Sequence, residues 1–386
     1  MDTLTPPANA DPLDPGQYRD VLRPVDEASS LPSHCYLSPD WYAAEVESIF
    51  MRGWHLVGRA DRIPDPGDYF SFEIAEERVL LARGADGIVR AFSPACRHRG
   101  LLVAQGQGNC RRFVCPYHRW TYSTEGALLA APSMDQAKGF DPAGYGLVEF
   151  RLDEWAGFLF VTMDPAAEPL ADALGDLPDL LGRYRLDEMV FTRQKTYDLA
   201  CNWKCYVDNS VEAYHVPSVH GKSLQPVAPM QVWHYEVREH YYSLYGLFPG
   251  TMGVLKGERC FPPIEGLGEK EVERHDLAIL LPNTVITATV DSIWWVTATP
   301  RGPGRTFVMV NHAFPRKTTE RADFAEIAQN YYDRFDMVNV EDNEICELQQ
   351  VGLTQRARRP GRYSDHEELV GAFAAYVTER VLGRSG

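Results

Sequence analysis

The sequence has no apolar run approaching the ~18 residues that a membrane-crossing helix requires. It also lacks a basic excess: 38 Lys and Arg stand against 54 Asp and Glu, for a net charge of −16. A phosphate-binding surface needs the opposite balance, so no nucleic-acid partner and no membrane partner are expected. The first residues, M-D-T-L-T-P-P-A-N-A-D-P, have neither a basic n-region nor an apolar h-region. No secretory signal is therefore expected, and a cytoplasmic location follows. A disulfide framework is missing too. Six of the eight cysteines (Cys35, Cys110, Cys201, Cys205, Cys260 and Cys346) are scattered, and a reducing compartment would keep them as thiols. Cys201 and Cys205, one helical turn apart, read as small buried hydrophobes. What remains is a 386-residue chain of ordinary globular composition, long enough for two or three domains.

The other two cysteines sit in a pattern. Cys96-Arg97-His98 is followed after sixteen residues by Cys115-Pro116-Tyr117-His118. Each half offers one thiolate and one imidazole from a tight turn. A Rieske [2Fe–2S] centre needs two Cys on one iron and two His on the other. Zinc is the alternative, but zinc spacings usually pair Cys with Cys and His with His, and here each half is mixed.

A second constellation lies in mid-chain, D-N-S-V-E-A-Y-H-V-P-S-V-H from Asp208 to His220. In a helix Glu212 and His215 share a face. His215 and His220 would stand about 140° apart. Pro217 disfavours helix just before it, so the chain is expected to bend after His215 and swing His220 back. Two His plus one distant carboxylate make the facial triad of non-haem Fe(II) oxygenases. Two histidines near a proline are also commonplace as packed or surface residues.

The patterning predicts an α+β protein. Residues 1–36, rich in Pro, Asp and Ala, read as a flexible N-terminus, and 37–52 as a helix capped by Ser38. Short alternating strands over 53–165 form a small all-β unit carrying both Cys/His loops. Residues 166–194 read as a helical linker. Residues 195–386 form a second domain: a helix bearing the His motif, an antiparallel sheet, a long helix over about 318–351 and a final helix over about 364–382.

With these motifs in place, the chain resembles the α subunits of Rieske non-haem iron oxygenases, from about residue 40 onward. The resemblance rests on C-x-H…C-x-x-H, on N-W-K-x-x-x-D-N-x-x-E-x-Y-H-x-x-x-x-H and on E-D-x-x-I-C-E-x-x-Q near the C-terminus. It implies an N-terminal Rieske domain, a C-terminal helix-grip catalytic domain and a homotrimer in which one subunit's cluster serves its neighbour's iron. It implies that Cys96, His98, Cys115 and His118 bind the [2Fe–2S] cluster. His215 and His220 would bind Fe(II) with Asp342 as third ligand, Glu341 and Asp336 being the other acids available. Glu212 would bridge the two metal centres, with Asp208, Asn209 and Tyr214 beside it. Glu at position 212 looks more like the carnitine and quaternary-amine monooxygenase and N-dealkylase branch than like the naphthalene-type dioxygenases.

The resemblance further implies a reductase partner, possibly with a ferredoxin, and O2 with a small organic molecule as substrates. Monooxygenation leading to N- or O-dealkylation is the expected reaction, with an aromatic ring-dihydroxylating dioxygenase as the alternative. Eight sheet aromatics, Trp233, Tyr235, Tyr241, Tyr242, Tyr245, Phe248, Trp294 and Trp295, are candidates to line the pocket, where they could cage an ammonium; plain core is their other reading.

Overall fold

A computed structural model describes residues 12–383. The chain forms two compact units, one of residues 51–170 and one of residues 1–50 with 171–386. None of the helices among the described residues is long and apolar enough to cross a membrane.

The 51–170 unit is all-β. A seven-stranded sheet runs in the order His55–Arg59, Phe158–Thr162, Glu149–Trp155, Val89–Phe92, Glu77–Arg83, Asp68–Ile74, Gln107–Asn109. A separate three-stranded sheet comprises Arg112–Val114, Thr121–Ser123 and Leu128–Ala130. Its turns follow their chemistry. Gly67 closes the D-P-G turn at φ +90°, where a Cβ would come within 2.4 Å of the Cys110 carbonyl oxygen. Only glycine fits there. The core of this part packs Leu80, Phe92, Phe113, Trp120 and Tyr122 around Cys96 and Cys115.

The larger unit is built on one antiparallel seven-stranded sheet. Its order is Met189–Leu199, Thr306–Pro315, Ile293–Pro300, Thr284–Ala288, Arg274–Leu280, Tyr242–Leu247, Trp233–Val237. The Trp203–Ser210 helix packs against the 30-residue Phe324–Leu353 helix. The Glu368–Val381 helix completes the helical side.

Two expectations need correction here. Residues 1–11 lie outside the described residues, but the rest of the N-terminal 36 is packed rather than flexible. Tyr18, Val21, Leu31 and Cys35 are buried, Ser29 makes a β-bridge to Arg362, and Arg358 donates to the Leu31 carbonyl at 2.8 Å. Composition hid this, because widely spaced apolar anchors among Pro and Asp carry no periodicity. Ser38 does cap a helix, accepting from the Trp41 N–H, but the α-helical part ends at Glu45 and a π-turn continues to Phe50.

Candidate metal and substrate site

The two Cys/His loops share one backbone plan. In each, the cysteine N–H donates to the carbonyl five residues on: Cys96 to Leu101 at 2.9 Å, Cys115 to Trp120 at 2.8 Å. In each, the cysteine carbonyl accepts from the N–H four residues on, from Gly100 at 2.8 Å and from Arg119 at 3.0 Å. Those closing residues have positive φ, +77° and +62°. The plan buries the two thiols and leaves the imidazoles partly exposed. His98 and His118 meet edge to face with ring centroids 4.6 Å apart, and His98 stacks on Trp120. His98 Nδ1 is buried with no hydrogen-bond partner. The Tyr122 hydroxyl accepts from the Arg97 N–H at 3.0 Å, leaving its own proton for Cys96 Sγ at 3.2 Å.

A single tetrahedral zinc ion would draw four such donor atoms to within about 4 Å of one another. No three of these four donors lie mutually within 4.8 Å, whereas His215, His220 and Asp342 do. Two buried sulfurs and two partly exposed, adjoining imidazoles suit a cluster of two irons, the sulfurs on one and the imidazoles on the other.

In the larger unit, Asn202 caps the Trp203–Ser210 helix by accepting from the Lys204 N–H at 3.0 Å. The helix stops at Ser210, so Glu212 and His215 do not share a helical face. The bend expected after His215 falls before it. His215 is the N-cap of a short Val216–Val219 helix, and Pro217 sits in that helix's first turn, where its missing N–H costs nothing. Val211 and Ala213 anchor the intervening loop in the core.

The two imidazoles are then treated alike. His215 Nδ1 lies 2.5 Å from Glu212 Oε1, and Glu212 Oε2 accepts from the His215 N–H at 3.0 Å. His220 Nδ1 lies 2.7 Å from Glu341 Oε2, which also accepts from Ser223 Oγ at 2.5 Å. With both Nδ1 atoms held by carboxylates, both Nε2 atoms are turned to one point. Asp342 Oδ1 stands there too, 2.8 Å from His220 Nε2 and 3.6 Å from His215 Nε2. That oxygen is buried at the point where the two Nε2 atoms converge. Burial would lower the His220 pKa, but Asp342 and Glu341 outweigh it and hold it above its ordinary value. Three convergent donors with carboxylates behind the imidazoles fit a divalent iron with open positions.

Of the three acids left open by the sequence, Asp342 joins the imidazoles and Glu341 stands behind one of them. Asp336 is elsewhere, paired with Arg193 and Lys195 at 2.8 and 2.7 Å. Asp208 accepts from the Tyr36 hydroxyl at 2.8 Å, and burial pushes its carboxyl up to about 7. Tyr214 is exposed and stacks on His366.

A cleft of about 750 Å3 opens beside the three donors. A second cavity, lined by Tyr36, Asp208 and Tyr363, lies on the other side of the motif, and Asn209, Glu212 and His215 line both. Of the eight sheet aromatics, only Trp233 and Trp294 line the cleft. Side chains alternate along a strand, so Trp294 faces the cleft while Trp295 faces away, toward Phe191. Tyr241, Tyr242 and Phe248 are core, and Tyr245 carries Arg274 on its ring. The other cleft aromatics, Tyr206 and Phe335, come from the helices. The sequence reasoning missed Arg334 altogether. It is 2% exposed, lines the cleft, and its pKa is lowered by burial to about 10. Its only sequence signal was position: two helical turns before Asp342, on the same face.

Comparison with known proteins agrees with this architecture. Residues 53–142 match the Rieske [2Fe-2S] domain, and residues 186–383 match the ring hydroxylating alpha subunit (catalytic domain). A glycine betaine monooxygenase oxygenase subunit from Pseudomonas aeruginosa is 27% identical, the alignment covering 100% of this chain and 97% of the relative. A chloroplastic choline monooxygenase from Spinacia oleracea is 28% identical over 88% of this chain and 75% of its own. Among solved structures, a quaternary ammonium Rieske monooxygenase superposes with a TM-score of 0.82 at 22% identity, covering 93% of this chain and 97% of that one. Naphthalene 1,2-dioxygenase from Rhodococcus sp. gives 0.81 at 21%, covering 97% and 100%. At such identities both structures speak for the fold alone. The two matched regions carry two redox groups, a Rieske [2Fe–2S] cluster and a mononuclear iron. With just over half of its length in the catalytic match and a Rieske region ahead of it, the chain belongs to the ring-hydroxylating oxygenase α-subunit family.

Proposed function

We propose that this oxygenase hydroxylates an N-methyl carbon of a small quaternary or tertiary amine, so that the product loses formaldehyde. The support is that the full-length relatives are named for glycine betaine and choline, and that the cleft beside the three donors is lined mainly by apolar and aromatic side chains. The reaction balances as follows. One atom of O2 enters a C–H bond, and the other leaves as water with two electrons and two protons. The resulting N-hydroxymethyl group then releases formaldehyde, leaving the amine one methyl shorter; from a quaternary amine a proton leaves as well, and from a neutral tertiary amine the hydroxyl proton passes to nitrogen.

In this reading His215, His220 and Asp342 hold the iron, and Cys96, His98, Cys115 and His118 hold the cluster. Bound there, the two groups supply electron relay and dioxygen activation. The protein's own part is positional. Glu212 and Glu341 fix the tautomer and tilt of the two imidazoles. The apolar and aromatic side chains that make up most of the cleft limit the water around an N-methyl group. Glu212, with Asn209 beside it, forms the wall shared with the second cavity, and we assign it the bridge toward the cluster of a neighbouring subunit in a homotrimer. A separate reductase, alone or with a ferredoxin, supplies electrons.

The observation that carries the iron assignment is the convergence of two Nε2 atoms and one unsatisfied carboxylate oxygen, each imidazole backed by its own carboxylate. The test is His215→Ala and His220→Ala. Each should lose mononuclear iron by metal analysis and lose formaldehyde release from glycine betaine or choline, with the cluster absorbance unchanged. Retained turnover in either variant overturns the assignment.

A further inference from the structure

Arg334 is a buried cation whose Nε and Nη2 have no anion in hydrogen-bond contact, although the Asp342 and Glu341 charges act on it from farther off. Its Nε and Nη2 are shut from solvent and have no hydrogen-bond acceptor. The guanidinium lies 4.4 Å over the Phe335 ring and 5.9 Å from that of Trp294, contacts that hold its plane without neutralising it. The two carboxylates of the same cleft are committed elsewhere. Glu212 is engaged with His215, and Asp342 faces the imidazole Nε2 atoms. Leu224, Leu244, Leu277 and Val285 are among the other lining side chains, and the neutral Asn209, Thr287 and Asn339 bring no charge. Guanidinium stays protonated at any physiological pH, and an unpaired buried charge is among the costliest features a fold can carry. A trapped water could accept from the N–H groups but could not balance the charge.

Such a cleft lacks one thing, an anionic oxygen pair to meet a planar fork of donors. We infer that Arg334 is the carboxylate-recognition group of the cleft, so that the substrate enters as a zwitterion, its carboxylate on Arg334 and its N-methyl end toward His215, His220 and Asp342. This rests on the amine reading above and narrows it. An amine bearing only positive charge would bring a second cation into an apolar chamber that already holds one. An amine carrying its own carboxylate enters with no net charge and removes the deficit.

The experiment compares probes that share a trimethylammonium head. Glycine betaine and carnitine carry a carboxylate; choline carries a hydroxyl; benzoate carries a carboxylate and no amine. Binding to the metal-loaded enzyme is measured by calorimetry, and formaldehyde release is measured with a reductase. The wild type should bind glycine betaine or carnitine at least about 100-fold more tightly than choline. Arg334→Gln should weaken the carboxylate probes about 100-fold, mostly in KM, and change choline less than about threefold. Arg334→Lys should fall between. Cluster absorbance and iron content should be unchanged, and Arg334→Met serves if the Gln variant misfolds. If the wild type binds choline as well as the carboxylates, or binds none of the carboxylates, or if Arg334→Gln weakens both classes alike, the inference fails while any amine turnover leaves the proposed function standing. If no amine is demethylated but benzoate binds in an Arg334-dependent way, the carboxylate role survives and the amine reading falls.

Discussion

Among the described residues of the larger unit, one Lys and one Arg are buried, and they are treated in opposite ways. Lys204, on the helix that leads into the His motif, is fully buried with its Nζ 2.5 Å from Glu45 Oε1. The Glu45 carboxylate also accepts from the indole N–H groups of Trp41 and Trp203, each at 2.9 Å. Every polar atom of that cluster has work within the fold. Arg334, on the opposite helix, is as deeply buried and has no hydrogen-bond acceptor for two of its nitrogens. Buried polar groups in folded proteins are overwhelmingly satisfied, so the satisfied cation reads as architecture and the unsatisfied one as a place kept for a ligand.

Removing Glu45 tests the first half of this contrast and should have the largest effect. Glu45→Ala strands a buried ammonium and should cost about 3–5 kcal/mol of unfolding free energy in urea titrations. Lys204→Met in the same background should recover most of it. Arg334→Met should run the other way. With no hydrogen-bonded carboxylate left stranded, it should leave ligand-free stability unchanged or raise it by on the order of 1–3 kcal/mol, while weakening carboxylate binding about 100-fold. A comparable loss in the two single variants would mean that Arg334 is as structural as Lys204, and the contrast would collapse.

The imidazoles sharpen the same distinction at the scale of single atoms. Each has a carboxylate on Nδ1 and leaves Nε2 to the common point. Glu341→Gln keeps the shape and removes the charge behind His220. It should weaken iron binding about 10–100-fold in chelator competition without disturbing the cluster spectrum. An unchanged affinity would make Glu341 a bystander.

The contrast also explains what could be read from residue order. The proposed cluster and iron donors stood out because they lie in short, chemically unusual spacings, and Asp342 because E-D-x-x-I-C-E resembles a family pattern. The mixed α+β architecture followed from strand alternation and helix periodicity. Arg334 and the backing role of Glu341 were not legible, since an Arg or Glu on a 30-residue helix is usually solvated and only the tertiary packing turns these inward. The aromatic count misled for a related reason. Strand alternation sends adjacent aromatics to opposite faces, and composition does not say which face the cleft lies on. The break before His215 was missed because Pro217 suits a helix's first turn as well as its end.

Asp208 lies between the two extremes, and it makes the smallest of these tests. It has one partner, the Tyr36 hydroxyl, and Lys204 helps from its own helix. Burial outweighs both, with Glu367 and Glu212 adding repulsion, and the carboxyl rises from 3.8 to about 7. Tyr363 faces the same cavity. The folded protein therefore keeps a proton on Asp208 that the unfolded chain releases near pH 4. The folded state binds more protons between about pH 4 and 7, so this residue's contribution is fully present below that window and is lost as pH rises through it. The ceiling for one proton is about 1.4 kcal/mol per pH unit, and the open cavity beside the carboxylate should keep the slope below it. Asp208→Asn still accepts from Tyr36 but cannot ionise, so its unfolding free energy should decline less from pH 5 to 7 than that of the wild type. Parallel pH profiles for the two proteins would show that the cavity already gives Asp208 the water it needs, and that it belongs with the solvated acids rather than between Lys204 and Arg334.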